Sequence, residues 1–378
     1  MNQIFLKQLD IKHFLSLQQV TLPLKPLTAL VGSNASGKSN VLKALLMLNR
    51  MLLSEKLPDS HTIKNWIWAG EPLGQIDFKM QVETGDNRAT YHLELQNQLD
   101  KSIYTEFLLV NDVKVIAVKQ GKGEIRDEDD KHQTSYASDK LALKSAGDYG
   151  NKPVTLMLTD FIKNWAFFNF IPAVMRSKNR VLMSNATTDL PSRLDEEGAI
   201  LKSMLSLWHE KNYAKFDLVS QSLASVTNFS LERMEGFEVE LGLLEGYAKP
   251  IPLEQASDGT LRLLAYYTLL NQPELPSLIT IEEPERNLHP AALMQVASLL
   301  EELALRTQVI ITTHSAQLLD YFDKSNLGDS LGVLLLKNHK GCGTEIIDFE
   351  QAQNHRAALS SWTEDFGIGS AIFDSELC

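Results

Sequence analysis

Apolar and polar positions alternate as the chain opens. Ile4, Leu6, Leu9 and Ile11, then Val20, Leu22 and Leu24, stand at strand spacing and predict a hairpin. The run Leu27-Thr28-Ala29-Leu30-Val31 then predicts a short buried strand. After Ser39 the period changes: Val41, Leu42, Ala44, Leu45 and Leu48 recur at helical spacing with no Pro or Gly, predicting a helix to about Leu53. Pro58 and Gly70 to Gly74 bracket a variable connection. Alternation returns over residues 76–82, 91–95, 103–110 and 113–118, which reads as an antiparallel meander. Residues 121–148 are polar and carry the run Asp127-Glu128-Asp129-Asp130-Lys131-His132; a solvated loop is expected there. Residues 154–170 predict an aromatic amphipathic helix, with Phe161, Trp165, Phe168 and Phe170 in the core rather than in a stacking platform. Helix is expected again from about Glu196 to Val226, with acids in its first turn. Residues 278–284 and 309–315 each read as an apolar strand ending in polar residues. Residues 331–336 and 345–349 read as closing strands, and residues 364–373 as a tail available to dock on a partner. Neither helical stretch sustains the heptads of a long coiled-coil arm, and no internal repeat is found.

Composition adds limits. At 378 residues and 44% hydrophobic content, the chain suits two domains or one large elaborated domain with a full core. No unbroken apolar run is long enough to span a membrane, and the N-terminus reads as a strand rather than a secretion signal. Cys342 and Cys378 make no disulfide framework or metal cluster, which points to a reduced, cytoplasmic protein. A formal net charge of −12 argues against broad non-specific nucleic-acid binding, while leaving room for a local basic groove.

The chemistry concentrates in four places. Gly32-Ser33-Asn34-Ala35-Ser36-Gly37-Lys38-Ser39, with Asn40 following, is a phosphate-loop pattern between the buried strand and the first helix. Glycines let backbone N–H groups turn inward around phosphate oxygens, and the helix N-terminus adds partial positive charge. Lys38 supplies a full charge for the outer phosphates of ATP, and the Ser39 hydroxyl can ligate Mg²⁺. Second, the strand at residues 278–282 delivers Glu282 and Glu283 at its carboxyl end, where ligands bind in parallel nucleotide-binding sheets. Adjacent acids on extended chain point apart. Glu282 is therefore assigned to the metal side and Glu283 to the general base. Third, Ser257-Asp258-Gly259-Thr260 opens an apolar helix. It is read either as a plain N-cap or as a phosphate cradle. Fourth, Thr312-Thr313-His314-Ser315 ends another buried strand at the same edge, and His314 is assigned a γ-phosphate contact over the alternative of a satisfied core histidine.

This order of motifs resembles the ABC-type ATPases of the SMC/RecF-like branch. Residues 281–290, Ile-Glu-Glu-Pro-Glu-Arg-Asn-Leu-His-Pro, are similar to the form found in small bacterial RecF-like AAA-type ATPases, and residues 257–262 to their signature helix. The likeness is firm over about residues 1–50 and 250–320. It implies an α/β P-loop NTPase fold, with a mixed central sheet, an antiparallel β subdomain and a helical insertion. The expected division is an N-terminal lobe at 1–120, a polar loop and helical insertion at 121–235, and a C-terminal lobe at 236–378. The resemblance further implies an ATP-sandwich homodimer or higher oligomer, in which Ser257, Asp258 and Gly259 close over ATP held by another subunit. Asn287 to His289 would lie in the loop crossing that interface. Two departures stand out. His13-Phe14-Leu15-Ser16 lacks the basic residue that relatives often carry after the aromatic, and the metal-shell glutamine is not obvious, with Gln75 the candidate.

Relatives of the overcoming-lysogenisation-defect (OLD) type carry a C-terminal TOPRIM nuclease. After Ser315 this sequence has no Asp-x-Asp pair and too little length for that domain. The expected role is thus an ATPase switch or sensor for a separate effector, a nuclease or a toxin, in bacterial antiphage defence. The alternative is a DNA-repair ATPase that clamps DNA, so a nucleic-acid partner stays open. A transporter's nucleotide-binding subunit fits less well, because the signature and the long middle do not suit it.

Overall fold

The computed structural model describes residues 4–54, 56–69, 74–98, 101–146, 150–177, 193–227, 229–233, 241–244 and 249–373. The chain opens with β1 (Ile4–Phe14), β2 (Leu17–Pro23), β3 (Leu27–Val31) and helix α1 (Lys38–Leu53), followed by α2 (Ser60–Trp66). Next come β4 (Gln75–Thr84), β5 (Asn87–Gln98), β6 (Lys101–Val110), β7 (Val113–Lys119), β8 (Lys122–Arg126) and β9 (Gln133–Ala137). Then follow α3 (Ala142–Ala146), α4 (Pro153–Lys163), β10 (Trp165–Phe168), α5 (Pro172–Arg176), α6 (Leu201–Lys211) and α7 (Tyr213–Thr227). Short strands β11 (Ser230–Arg233), β12 (Leu241–Leu244) and β13 (Ile251–Pro252) form a small separate sheet. The last part holds α8 (Asp258–Leu270), β14 (Leu278–Glu282), α9 (Pro290–Ala304), β15 (Gln308–Thr313) and α10 (Ala316–Asp320). It closes with β16 (Leu331–His339), β17 (Gly343–Asp348), α11 (Phe349–His355), α12 (Ala357–Phe366) and α13 (Ile368–Phe373).

Two sheets organise these elements. The eight-stranded one runs β2-β1-β4-β5-β6-β7-β8-β9, so the opening hairpin and the meander are one antiparallel sheet. The six-stranded one runs β10-β14-β15-β3-β16-β17, parallel except for β17. Between them lies an apolar layer in which Val41, Leu45 and Leu48 of α1 and Leu158 and Ile162 of α4 meet Ile11, Phe78 and Leu93 of one sheet and Leu30 and Ile310 of the other. The far face of the parallel sheet packs Ile279, Ile281 and Val309 against α8, α9 and the helices that follow. Residues 27–31 are buried on both faces, as a strand inside a parallel sheet must be. Among the described residues no helix is long and apolar enough to cross a membrane.

Four expectations need correction. The polar stretch after Gly121 is not a loop. It forms β8, β9 and α3, and β9 is polar because it is a solvent-facing edge strand. Its acids also have fixed partners. Asp127 makes a buried ion pair with Lys152 at 2.9 Å, and Glu128 accepts from the Val154 and Thr155 amides at the start of α4. The expected helix over 154–170 stops at Lys163. Trp165 to Phe168 instead pair in parallel with Leu278 to Ile281, although Phe161, Trp165, Phe168 and Phe170 are all buried as expected. The helix expected from Glu196 is two helices broken at Asn212; Asp195 caps the preceding turn, accepting from the Ala199 and Ile200 amides. The tail docks on its own chain. Asp320 of α10 accepts from Gly369 N–H, and a Cβ on Gly369 would lie 2.0 Å from Ala316 O, so only glycine lets α13 approach α10 this closely. Residues 70–73 and Cys378 lie outside the described residues; Cys342 is exposed and free.

Candidate functional site

In the central sheet β15 lies between β3 and β14, all three parallel. Their carboxyl ends therefore share one edge, and three segments far apart in sequence meet there. The cavity at this edge has a volume of about 320 Å³ and is lined by residues 34–40, Ser16, Glu282, Glu283, Thr312 and Asn338.

The loop from Gly32 to Gly37 is tied from several sides. Lys38 Nζ donates to the carbonyls of Gly32 and Ser33 at 2.7 and 2.9 Å. Thr344 Oγ1 donates to Ser36 O at 3.0 Å and Asn338 Nδ2 to Ala35 O at 3.1 Å. Asn40 Nδ2 donates to Ser16 Oγ, which lies 2.8 Å from Thr344 Oγ1. Gly37 has φ +112°, and a Cβ there would sit 2.3 Å from Thr344 Oγ1, so neither backbone nor space admits another residue. Ser16, Asn338 and Thr344 were not assigned to the site from sequence. Thr344 stands 328 positions from Ser16 and reaches the loop only because the β16–β17 turn folds back, its amide donating to Ser16 O. No local motif signals that.

Ser36 Oγ is buried in the loop without a hydrogen-bond partner. With the sheltered Lys38 ammonium and the N-terminus of α1, it makes a donor-rich cradle whose chemistry fits phosphate oxygens. The residues that would hold Mg²⁺, Ser39 and Glu282, line the same cavity.

Glu283 follows the strand in a left-handed conformation, φ +44°, a strained backbone for a glutamate. Its amide donates to Thr312 O at 3.0 Å, which stitches β14 to β15 beyond the ladder. His314 Nδ1 lies 3.4 Å from Glu283 Oε1. Glu285 steadies this pair: its Oε1 accepts from Thr313 Oγ1 at 2.7 Å and from the His314 amide at 3.2 Å. Burial pushes the Tyr266 hydroxyl up to about 12, so it stays a donor, 3.4 Å from Pro284 O.

Ser257, Asp258 and Gly259 do not line this cavity. Ser257 is exposed and caps α8, accepting from Thr260 N–H at 3.1 Å. Asp258 is gripped twice, by Arg176 Nη2 at 2.5 Å and Asn287 Nδ2 at 3.1 Å, and Arg176 also donates to Ala256 O. A Cβ on Gly259 would meet Asn287 O at 2.7 Å. The structure thus joins the Ser-Asp-Gly turn to the loop at Asn287, and neither is among the residues lining the phosphate-loop cavity. Gln75 begins β4, accepts from Gln96 Nε2 at 3.3 Å, and is not among the cavity-lining residues.

These features define a P-loop NTPase with the fold of SMC heads. The described chain superposes on the Smc head domain bound to the C-winged helix domain of ScpA with a TM-score of 0.54 at 15% identity, covering 92% of this chain and 99% of that one. It superposes equally on a Pyrococcus furiosus-derived Smc head complex with an extended coiled coil and the ScpA C-terminal domain, at 0.54 and 12% identity over 94% and 100%. Residues 5–164 match the family model of the AAA ATPase domain, and residues 181–320 that of the AAA domain, putative AbiEii toxin, type IV TA system. An OLD nuclease of Thermus scotoductus is 50% identical over 40 residues, which span 11% of this chain and only 8% of that protein. Both halves of the chain thus resemble AAA ATPase domains, and the whole carries the P-loop NTPase fold of SMC heads.

Proposed function

We propose that this protein binds ATP with Mg²⁺ at the phosphate loop, hydrolyses it in a dimer whose two sites are shared between subunits, and serves as a switch for a separate effector in antiphage defence. The observation that carries the reading is that residues 34–40, Glu282, Glu283 and Thr312 line one cavity, while Ser257 to Gly259 are not among its lining residues. A second chain would complete the site by bringing its own α8 N-terminus to this cavity, since Ser257 caps that helix outside the cavity of its own chain. In this reading Lys38 and the α1 N-terminus bind the phosphates, and Asn40 and Thr344 hold the loop open. When bound, Mg²⁺ neutralises charge on the outer phosphates. Glu283 takes the proton of the attacking water, and His314, 3.4 Å away, holds the carboxylate toward the cavity. A single 40-residue stretch at 50% identity to an OLD nuclease supports kinship with defence ATPases, and the effector is inferred from that kinship alone.

The test is a mixing experiment. Ser257→Arg places a bulky cation where the other subunit's phosphate would sit, and Lys38→Ala removes the loop cation. Each variant alone should be inactive. A mixed dimer has one composite site with both lesions and one with neither, so partial ATPase activity should return. Full activity of Ser257→Arg alone would reduce the motif to a capped helix in a monomer and remove the shared site. Salt-dependent binding of duplex DNA by the purified protein would shift the role to a DNA clamp.

A further inference from the structure

On the open face of the eight-stranded sheet three side chains converge that the ATP site does not use. Residues 76, 78, 91 and 93 point into the core, so Asp77, His92 and Glu94 rise together from the opposite face of β4 and β5. We infer that these three residues form a binding site for one first-row divalent transition ion of the Zn²⁺ class.

The ladder fixes the geometry. Asp77 and Glu94 are direct cross-strand partners, and His92 lies one outward position along β5. One ligand atom from each lies within 4.8 Å of the others. Like charges directly opposite on a sheet repel, and here both carboxylates are sheltered, with only 15% and 26% of their side-chain surface exposed. Such a pair needs a cation. Lys12 is the direct cross-strand partner of Asp77 and Lys79 that of His92, and both line the concavity, yet among the described residues the only ion-pair contacts of these two acids are with His92. His92 Nε2 lies 2.6 Å from Asp77 Oδ2 and 3.9 Å from Glu94 Oε1, between the two. The imidazole also stacks on Phe107, with ring centroids 6.1 Å apart and 24° between planes.

The donor set decides the ion. One imidazole nitrogen with two carboxylate oxygens suits Zn²⁺ and its first-row neighbours, whereas Mg²⁺ and Ca²⁺ take oxygen. The trio lies in a concavity of about 800 Å³ lined also by Asp10, Thr21 and Lys114, which leaves room for water to complete the shell. Ligation through His92 Nε2 would replace its 2.6 Å contact with Asp77, since a ligating imidazole nitrogen carries no proton.

The experiment is a calorimetric titration of chelator-stripped, full-length protein with Zn²⁺, without nucleotide, so it stands apart from the ATPase reading. One saturable ion per chain is expected, unaffected by millimolar Mg²⁺. His92→Gln and Glu94→Gln, on the solvent face, should each fold normally by circular dichroism and weaken binding by more than about tenfold. His339→Gln, at the exposed His339–Glu345 pair, is the control and should bind as the unsubstituted protein does. No saturable binding would overturn the site. So would equal affinity in His92→Gln and Glu94→Gln, or loss only in His339→Gln; both mean an adventitious ion only.

Discussion

Glu106 offers a sharp test of how the meander holds the rest of the fold. It is fully buried on β6 and accepts hydrogen bonds from Tyr91 Oη at 2.9 Å, from Ala142 N–H at 2.5 Å and from Leu143 N–H at 2.8 Å. It therefore pins the start of α3 to the sheet. Burial outweighs these donors and pushes its carboxyl from 4.5 up to about 7. Between those values the native state keeps a proton that the unfolded chain has lost. Native proton uptake exceeds unfolded uptake there, so stability falls as pH rises from 4.5 to 7 and is level above. Over the window from pH 5 to pH 8 the loss works out at roughly 2–3 kcal/mol at 1.36 kcal/mol per unit. Glu106→Gln cannot titrate. Its amide nitrogen must face either the Ala142 N–H or the pair formed by Leu143 N–H and Tyr91 Oη, so it forfeits at least one bond, a cost of about 1–3 kcal/mol. Urea unfolding of both proteins at pH 5 and pH 8 reads the outcome. The stability gap between Glu106 and its Gln variant should narrow by roughly 2–3 kcal/mol at the higher pH. A gap that stays constant would show that Glu106 keeps an ordinary carboxylate in the fold and refute the argument.

Other outcomes follow from the site. Lys38→Ala should weaken nucleotide binding by about 10- to 100-fold in equilibrium titration, the worth of a hydrogen bond from a charged group; unchanged affinity would place the site elsewhere. Glu283→Gln should retain ATP, accumulate as an ATP-bound dimer on size exclusion and slow hydrolysis on the order of 10²-fold or more, with unchanged turnover moving the base to Glu282. Glu285→Ala removes the acceptor for Thr313 Oγ1 and the His314 amide, so the turnover number should drop by about 10- to 100-fold with nucleotide affinity kept. Equal turnover would show that His314 needs no such anchor.

The parts of this molecule that could be read from sequence are those in which one short segment carries its own reason. Residues 27–31 are apolar on both faces and precede a glycine loop and an uninterrupted helix, and they fold as β3 and α1. Ser257 has a capping side chain ahead of an apolar run and caps α8. The meander alternates and pairs as expected. The errors share a different cause, in that the deciding partner is distant. Residues 165–168 look helical by period, but they lie beside Leu278 to Ile281, and the vacant edge of β14 converts them to a strand. Residues 122–137 look like a solvated loop by composition because an edge hairpin exposes most of its side chains.

The same contrast explains why the site was half legible. Residues 32–40 and the acids at 282 and 283 are each local, and the parallel order β14-β15-β3 brings them to one edge. What fixes them is not local. Thr344 and Asn338 bind the phosphate loop's carbonyls from the far end of the chain, and Glu285 reaches across to the strand that carries His314. Arg176 does the same for Asp258, from a helix that follows β10. Asn287 grips Asp258 from the loop after Glu283, so the turn proposed to meet another subunit's nucleotide is bonded to the segment that follows this subunit's own proposed base. In the dimer proposed above, a displacement of Ser257 to Gly259 would reach the loop after Glu283 through the Asn287–Asp258 contact, so the shared-site proposal predicts that Asn287→Ala lowers turnover while leaving nucleotide affinity unchanged.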